Sequence, residues 1–122
     1  MGQRWMEAAA IMPATAIDPG STSYSVSLGS LNLVGTYAGL YILTSATGTM
    51  TITQQVSIDG ATWIDPTNST LTAVGAVYNA LSLLTTRYIQ FTPILAPYVR
   101  MKVVPTEANT VTLKLVTQGE RM

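Results

Sequence analysis

The sequence predicts an all-β protein, an antiparallel β-sandwich of jelly-roll or Ig-like type with an extended N-terminal arm. Three observations carry that prediction. Apolar and polar residues alternate with period two in several short stretches, as they do in strands with one buried face. Turn-forming clusters of Asp, Asn, Gly, Pro and Ser separate those stretches at about eight- to twelve-residue intervals. Thr is abundant and nearly half the residues are apolar, with no long helical repeat, and β-branched side chains fit a pleated surface better than a helix.

The clearest element is Thr49 to Asp65. Met50, Ile52, Val56 and Ile58 fall on one side of a ladder, with Thr49, Thr51, Thr53, Gln55 and Ser57 on the wet side. Asp59-Gly60 supplies a turn that tolerates positive φ, and Trp63-Ile64 restarts an apolar run, so the segment is expected to form a hairpin. Upstream, Tyr24, Val26 and Leu28 alternate with serines, and Leu31 to Val34 and Tyr37 to Leu43 form two short apolar strands. Gly39 inside the second marks a bulge or a close approach. Downstream, Asp65-Pro66-Thr67-Asn68 is a turn, Thr70 to Leu84 is mostly strand, and Arg87 to Thr92 is a strand stopped by Pro93. Val99, Met101 and Val103 face one way and Tyr98, Arg100 and Lys102 the other. Val111, Leu113 and Leu115 follow the turn Pro105 to Asn109, so the last two strands are expected to pair as a hairpin.

Residues 1–21 show no strand periodicity and end in the turn cluster Asp18-Pro19-Gly20-Ser21. Trp5 to Ile11 is long enough for about two helical turns, which is marginal alone in water, so the segment is read as an arm. An arm carrying Trp5, Met6, Ile11, Met12 and Ile17 is too apolar to float free, and it is expected to lie against its own domain or a neighbouring subunit. Those five are the candidate interface residues. The expected organisation is an arm over 1–21, a sandwich over 22–118 and a short tail over 119–122.

A chain of 122 residues has room for one core. Six basic residues balance six acidic ones, so there is no cationic surplus to displace counterions from nucleic acid. The sequence holds no Cys and no His, which removes disulfides, thiolate and imidazole metal ligands and His-dependent nucleophilic machinery. The apolar run Met6 to Met12 is short, is interrupted by Glu7 and meets Pro13, so no membrane span or signal core is expected. No enzyme activity, cofactor or metal is expected.

Several constellations invite chemistry, and each has a plainer use. Asp59 and Asp65 resemble a carboxylate pair, yet Asp before Gly forms turns and Asp before Pro caps them. The calcium-loop spacing is absent. Asn68-Ser69-Thr70 has the form of a glycosylation sequon and is read as a polar turn. Arg87, Arg100 and Lys102 form the one basic cluster, expected on a solvated face opposite acids such as Glu107 and Glu120. The six tyrosines suit a core rim first, then a protein interface, then a sugar-binding face.

The passage Gln55-Val-Ser-Ile-Asp-Gly-Ala-Thr-Trp-Ile-Asp65, with Ala96-Pro-Tyr-Val-Arg-Met-Lys-Val-Val104 and Asn109-Thr-Val-Thr-Leu-Lys-Leu115, resembles small β-sandwich structural proteins of tailed-bacteriophage virions. The resemblance covers about half the chain. It implies a virion location after assembly in a host cytoplasm, and a non-enzymatic capsid decoration or cement subunit that bridges capsid subunits. The implied partners are the major capsid protein or another virion protein, with the chain itself a homo-oligomer, a trimer first. A tail, collar or fibre component is the near variant. A carbohydrate- or host-surface-binding sandwich is the reading from a different class.

Overall fold

The computed structural model describes residues 3–27, 38–45, 48–82, 86–94 and 96–121. Eight strands are present among them: β1 (Gln3–Ile17), β2 (Ser23–Tyr24), β3 (Ala38–Thr44), β4 (Gly48–Ser57), β5 (Ala76–Ser82), β6 (Thr86–Phe91), β7 (Tyr98–Pro105) and β8 (Asn109–Arg121). They form two antiparallel four-stranded sheets, ordered β1-β8-β3-β6 and β2-β7-β4-β5. The pairs β1–β8, β2–β7, β3–β6 and β4–β5 show how the chain gets there. It is folded double about the β4–β5 connection, and the doubled ribbon is then rolled into two sheets. That is the jelly-roll connectivity, which settles the choice left open between jelly-roll and Ig-like sandwiches.

The core lies between the sheets and follows the period-two pattern. Leu40 and Ile42 of β3, Met50 and Ile52 of β4, Met101 and Val103 of β7, and Val111, Leu113 and Leu115 of β8 all point inward. Burying such side chains contributes about 1.5–3 kcal/mol each. One inward position of β4 is polar: Gln54 is 2% exposed. Its amide behaves like a peptide group, with Nε2 donating to the Ile94 carbonyl (2.9 Å) and Oε1 accepting from the Ile94 N–H (2.9 Å). The β6–β7 connection is thereby tied to the opposite sheet, and a buried amide is satisfied.

Four expectations need correction. The N-terminal segment is strand over Gln3–Ile17, with no helical turn, and it pairs along β8 from Gln3↔Arg121 to Ile17↔Asn109. Its alternation was hidden by two register shifts, one between Ala10 and Met12 and one between Met12 and Thr15. The first puts Ile11 and Met12 into the core side by side, and the second absorbs Pro13, a residue that edge strands accommodate at bulges.

The last two strands lie where alternation places them, but they are not a hairpin: β7 pairs with β2 and β4, and β8 with β1 and β3. Thr106 leaves β7 by donating its N–H to the Thr49 carbonyl, and the chain crosses to the other sheet. Alternation fixes which face is inward and is silent on the partner. The Trp63-Ile64 run is likewise no full strand. Ile64 makes a single bridge to Val56, and the partner of β4 is β5, which begins only at Ala76. Finally, the wet face of β4 is covered at its far end, with Ser57 1% exposed, while Ile58 stands 77% exposed beyond the last ladder pair.

The strand expected from Tyr24 is short, because after Tyr24 the chain changes sheets. Ser25 donates its N–H to the Met101 carbonyl and Val26 to the Ile11 carbonyl. The close approach expected at Gly39 is real: a Cβ there would collide with the Tyr88 hydroxyl. The expected strand Leu31 to Val34, with Leu28 and Tyr37, lies outside the described residues.

Candidate functional site

The most developed side-chain assembly sits on the outer face of the β2-β7-β4-β5 sheet. Alternation on β7 points Tyr98, Arg100 and Lys102 outward, and the register sets Arg100 beside Gln55 and Lys102 between Tyr24 and Thr53. The Arg100 guanidinium lies 3.8 Å from the centroid of the Tyr24 ring and 4.5 Å from that of Trp63. Each such contact contributes roughly 0.5–2 kcal/mol, depending on desolvation. Arg100 Nε donates to Gln55 Oε1 (2.8 Å), Gln55 Nε2 donates to Asp65 Oδ1 (2.8 Å), and Lys102 Nζ pairs with Asp65 Oδ2 at 3.3 Å. A chain of charge-assisted bonds thus runs from β7 through β4 to the β4–β5 connection, fastening Trp63 and Asp65 onto the sheet.

The turn before Trp63 is held by Asp59. Its Oδ1 accepts from the N–H groups of Ala61 and Thr62 (2.9 Å each) and from the Ser57 hydroxyl (3.0 Å), while Gly60 takes φ +80°. The Thr62 and Ala61 N–H groups, with the Ser57 hydroxyl, lower the Asp59 pKa from 3.8 to about 2. Hydrogen bonding from Gln55, then from Lys102, holds Asp65 below the usual carboxylate value as well. Both acids are therefore ionised near neutrality, and neither has a proton to donate as a general acid. Asp59 is the turn former expected of it. Asp65 does something different from capping its own turn, since it anchors the Gln55–Lys102 network.

Beyond Asp65 the connection leaves the sheet as a narrow tongue, residues 66–75. Val74 donates its N–H to the Pro66 carbonyl, Thr67 bridges Ala73, and Asn68 donates its N–H to the Thr72 carbonyl. The chain re-enters the ladder where Gln54 donates its N–H to the Gly75 carbonyl. A Cβ on Gly75 would stand 2.7 Å from the Gln54 carbonyl oxygen, so only glycine fits that re-entry. Pro66 and Gly75 are buried at the root, and every residue from Thr67 to Val74 is exposed. The tip is held by Asn68 Oδ1, which accepts from the Thr70 and Thr72 N–H groups and the Thr70 hydroxyl. There Leu71 adopts φ +63° and is 83% exposed. A left-handed conformation at a non-glycine residue costs about 1–2 kcal/mol, and here it displays an aliphatic side chain to solvent.

The five candidate interface residues all lie on β1. Ile11, Met12 and Ile17 are buried in this chain's own core, so packing within the domain accounts for their apolar character. Trp5 and Met6 pair through their backbones with Gly119 and Gln118. The basic cluster is divided: Arg100 and Lys102 share one outer face, Arg87 stands on β6 of the other sheet, and the partner of Lys102 is Asp65 rather than Glu107. Tyr24, Tyr41, Tyr88 and Tyr98 lie outside the core. On the second outer face, Lys114, Tyr41 and Tyr88 form a row across β8, β3 and β6, with Lys114 6.0 Å from the Tyr41 ring centroid. Sequence reasoning missed Gln54 and Leu71. The phase of Gln54 with Met50 and Ile52 marks it as inward, whereas nothing local marks Leu71 as left-handed.

Among the described residues no group of three or more Asp, Glu, His or Cys is placed to hold a metal ion, and no helix is long and apolar enough to cross a membrane.

No protein-family model matches this sequence, and no curated protein does. Solved structures do resemble it. The SPBc2 prophage-derived protein YomS is similar with a TM-score of 0.54 and 16% identity, over 96% of each chain. A chain in the structure of infectious bursal disease virus, Gx strain, has a TM-score of 0.54 at 12% identity, over 95% of this chain and 32% of that one, so this protein corresponds to about a third of the viral chain. At such identities the likeness establishes a shared fold, the two-sheet β-sandwich.

Proposed function

We propose that this protein is a non-enzymatic structural component of a virion, and within that class a capsid decoration subunit. The observation that carries the reading is the end-to-end sharing of the sandwich with a prophage-derived protein, with the viral chain as a second instance. The bacteriophage resemblance of the Gln55–Asp65, Ala96–Val104 and Asn109–Leu115 segments points the same way. The chemistry agrees with it: Arg100, Gln55, Asp65 and Lys102 bond one another within the chain, and Asp59 and Asp65 are ionised turn and anchor groups. Such a subunit works by binding the assembled lattice and not its separated parts, so its binding free energy adds to the stability of the shell. A homo-oligomer, with a trimer expected first, bridges several capsid subunits at once.

The test is imaging of purified particles by electron microscopy, with and without this protein. Density on the head that disappears in the deletion particle is expected. Density on the tail, collar or fibres identifies the near variant, and a particle that contains no copy of the chain overturns the reading.

A further inference from the structure

We infer that β1 exchanges between copies: the strand of one chain leaves its own sandwich and fills the same place on β8 of a second chain. The topology makes β1 detachable. It is the first strand, it lies at the edge of its sheet, and among the described residues its ladder partner is β8 alone. Outside that ladder the Ile11 carbonyl accepts the N–H of Val26. Lifting β1 off the edge leaves every other strand pair intact.

The place that β1 vacates selects what refills it. Ile11, Met12 and Ile17 are core residues, so the slot is apolar and is bordered by the β8 backbone groups that pair with β1. Its register is particular. Shifts between Ala10 and Met12 and between Met12 and Thr15 bring Ile11 and Met12 inward side by side and accommodate Pro13. A regularly alternating peptide turns only every second side chain inward and misses one of that pair. The segment that carries the required spacing is β1 itself, so the occupant is a second copy of this chain.

The hinge is residues 18–22, all exposed, which join β1 in one sheet to β2 in the other. In the closed chain they form a tight turn: Ser21 donates its N–H to the Asp18 carbonyl (3.0 Å), and Gly20 donates to the Pro105 carbonyl (2.8 Å). Pro19 sets one centre of that turn and Gly20 takes φ +74° at the other. Straightened, the hinge reaches about 17 Å and carries β1 away from its own domain. The exchanged form remakes every β1 contact, so the two forms differ in the hinge and in the entropy of association, which rising concentration offsets. Reciprocal exchange closes a dimer, and exchange around three copies closes the trimer of the reading above. The inference supplies the contact for the homo-oligomer part of that reading and rests on it.

The absence of Cys makes the exchange directly readable. Ala10 and Lys114 are exposed and stand opposite each other in the ladder, a spacing that a disulfide bridges. Single Ala10→Cys and Lys114→Cys chains, one carrying a mass tag, are unfolded, refolded together at high concentration and then oxidised. The mixed disulfide is expected at a yield at least about tenfold above that of the same two chains refolded apart at low concentration, mixed and oxidised at once, because exchange requires β1 to leave the core. No atom lies within 4 Å of a Cβ placed on Gly20. Gly20→Val therefore strains the closed turn without a clash, and it is expected to raise the exchanged fraction of the co-refolded chains about tenfold. Equal mixed yields from the two refolding routes indicate an ordinary surface contact and overturn the inference. So does a mixed yield that Gly20→Val leaves unchanged, or the absence of any mixed disulfide after co-refolding. None of these results bears on whether the protein belongs to a particle, which the imaging experiment decides separately.

Discussion

Residues 58–65 and 66–75 belong to one connection, between β4 and β5, and they are held in opposite ways. The first half is folded back onto the sheet: Trp63 stacks on Arg100, Asp65 takes hydrogen bonds from Gln55 and Lys102, and Asp59 caps the turn between. The second half stands away from the sheet, with its hydrogen bonds closed on itself and its apolar tip in water. The half rich in aromatic and charged residues, which looks functional by composition, is a fastening. The half made of small, polar and aliphatic residues, which looks like an ordinary polar turn, is the one displayed. Residue type alone therefore misassigns both, because what a side chain offers a partner depends on which of its groups the fold has already used.

The strongest way to break the comparison is to undo the fastening. Arg100→Ala removes two ring contacts and the bond to Gln55, and it is expected to lower unfolding free energy by about 2 kcal/mol, read from the urea midpoint. Arg100→Lys should recover less than half, since an ammonium cannot stack flat between two rings. A loss below about 0.5 kcal/mol would mean that the network merely decorates the surface.

The tongue is expected to respond in the other direction. Leu71→Gly relieves the left-handed strain and should raise stability by up to about 1 kcal/mol, the gain being reduced by the extra freedom of glycine in the unfolded chain. A destabilisation in that variant would show that Leu71 packs on its own domain instead of standing free.

The smallest effect concerns the Asp59 turn. Its folded pKa of about 2 lies below the ordinary 3.8. As acid is added, the unfolded chain takes up the proton first. The contribution of Asp59 is thus complete above roughly pH 4 and is lost as pH falls through about 2. Asp59→Asn should flatten part of that acid limb in urea midpoints measured between about pH 5 and pH 2. The limb should not vanish, because Asp65 is also held low. Identical slopes in both proteins would remove Asp59 from the account.

Much of the sandwich is legible in the sequence because inward and outward residues alternate wherever a strand is regular. Met101 and Val103, and Val111, Leu113 and Leu115, are inward as their spacing requires. β1 was not legible as a strand, since its two register shifts interrupt the period that would have revealed it. The apolar character of that segment suggests an interface in sequence, and Ile11, Met12 and Ile17 owe that character to the core. The hairpin expected of β7 and β8 misplaced both, because neighbours in sequence pair only when the connection keeps them in one sheet, and Thr106 takes the chain across.

By itself, then, the sequence determined the all-β class, the positions and inward faces of β7 and of β8 from Asn109 to Leu115, the inward face of β4 at Met50 and Ile52, and the Asp59-Gly60 turn. These follow from side-chain periodicity and local backbone preference, which act within a few residues. The tertiary structure alone decided the pairing of first strand with last and second with seventh, the burial of β1, the closure of the Arg100 network and the exposure of Leu71. Those depend on contacts between residues far apart in the chain, which exist only once the doubled ribbon has rolled, and no local pattern of residues encodes them.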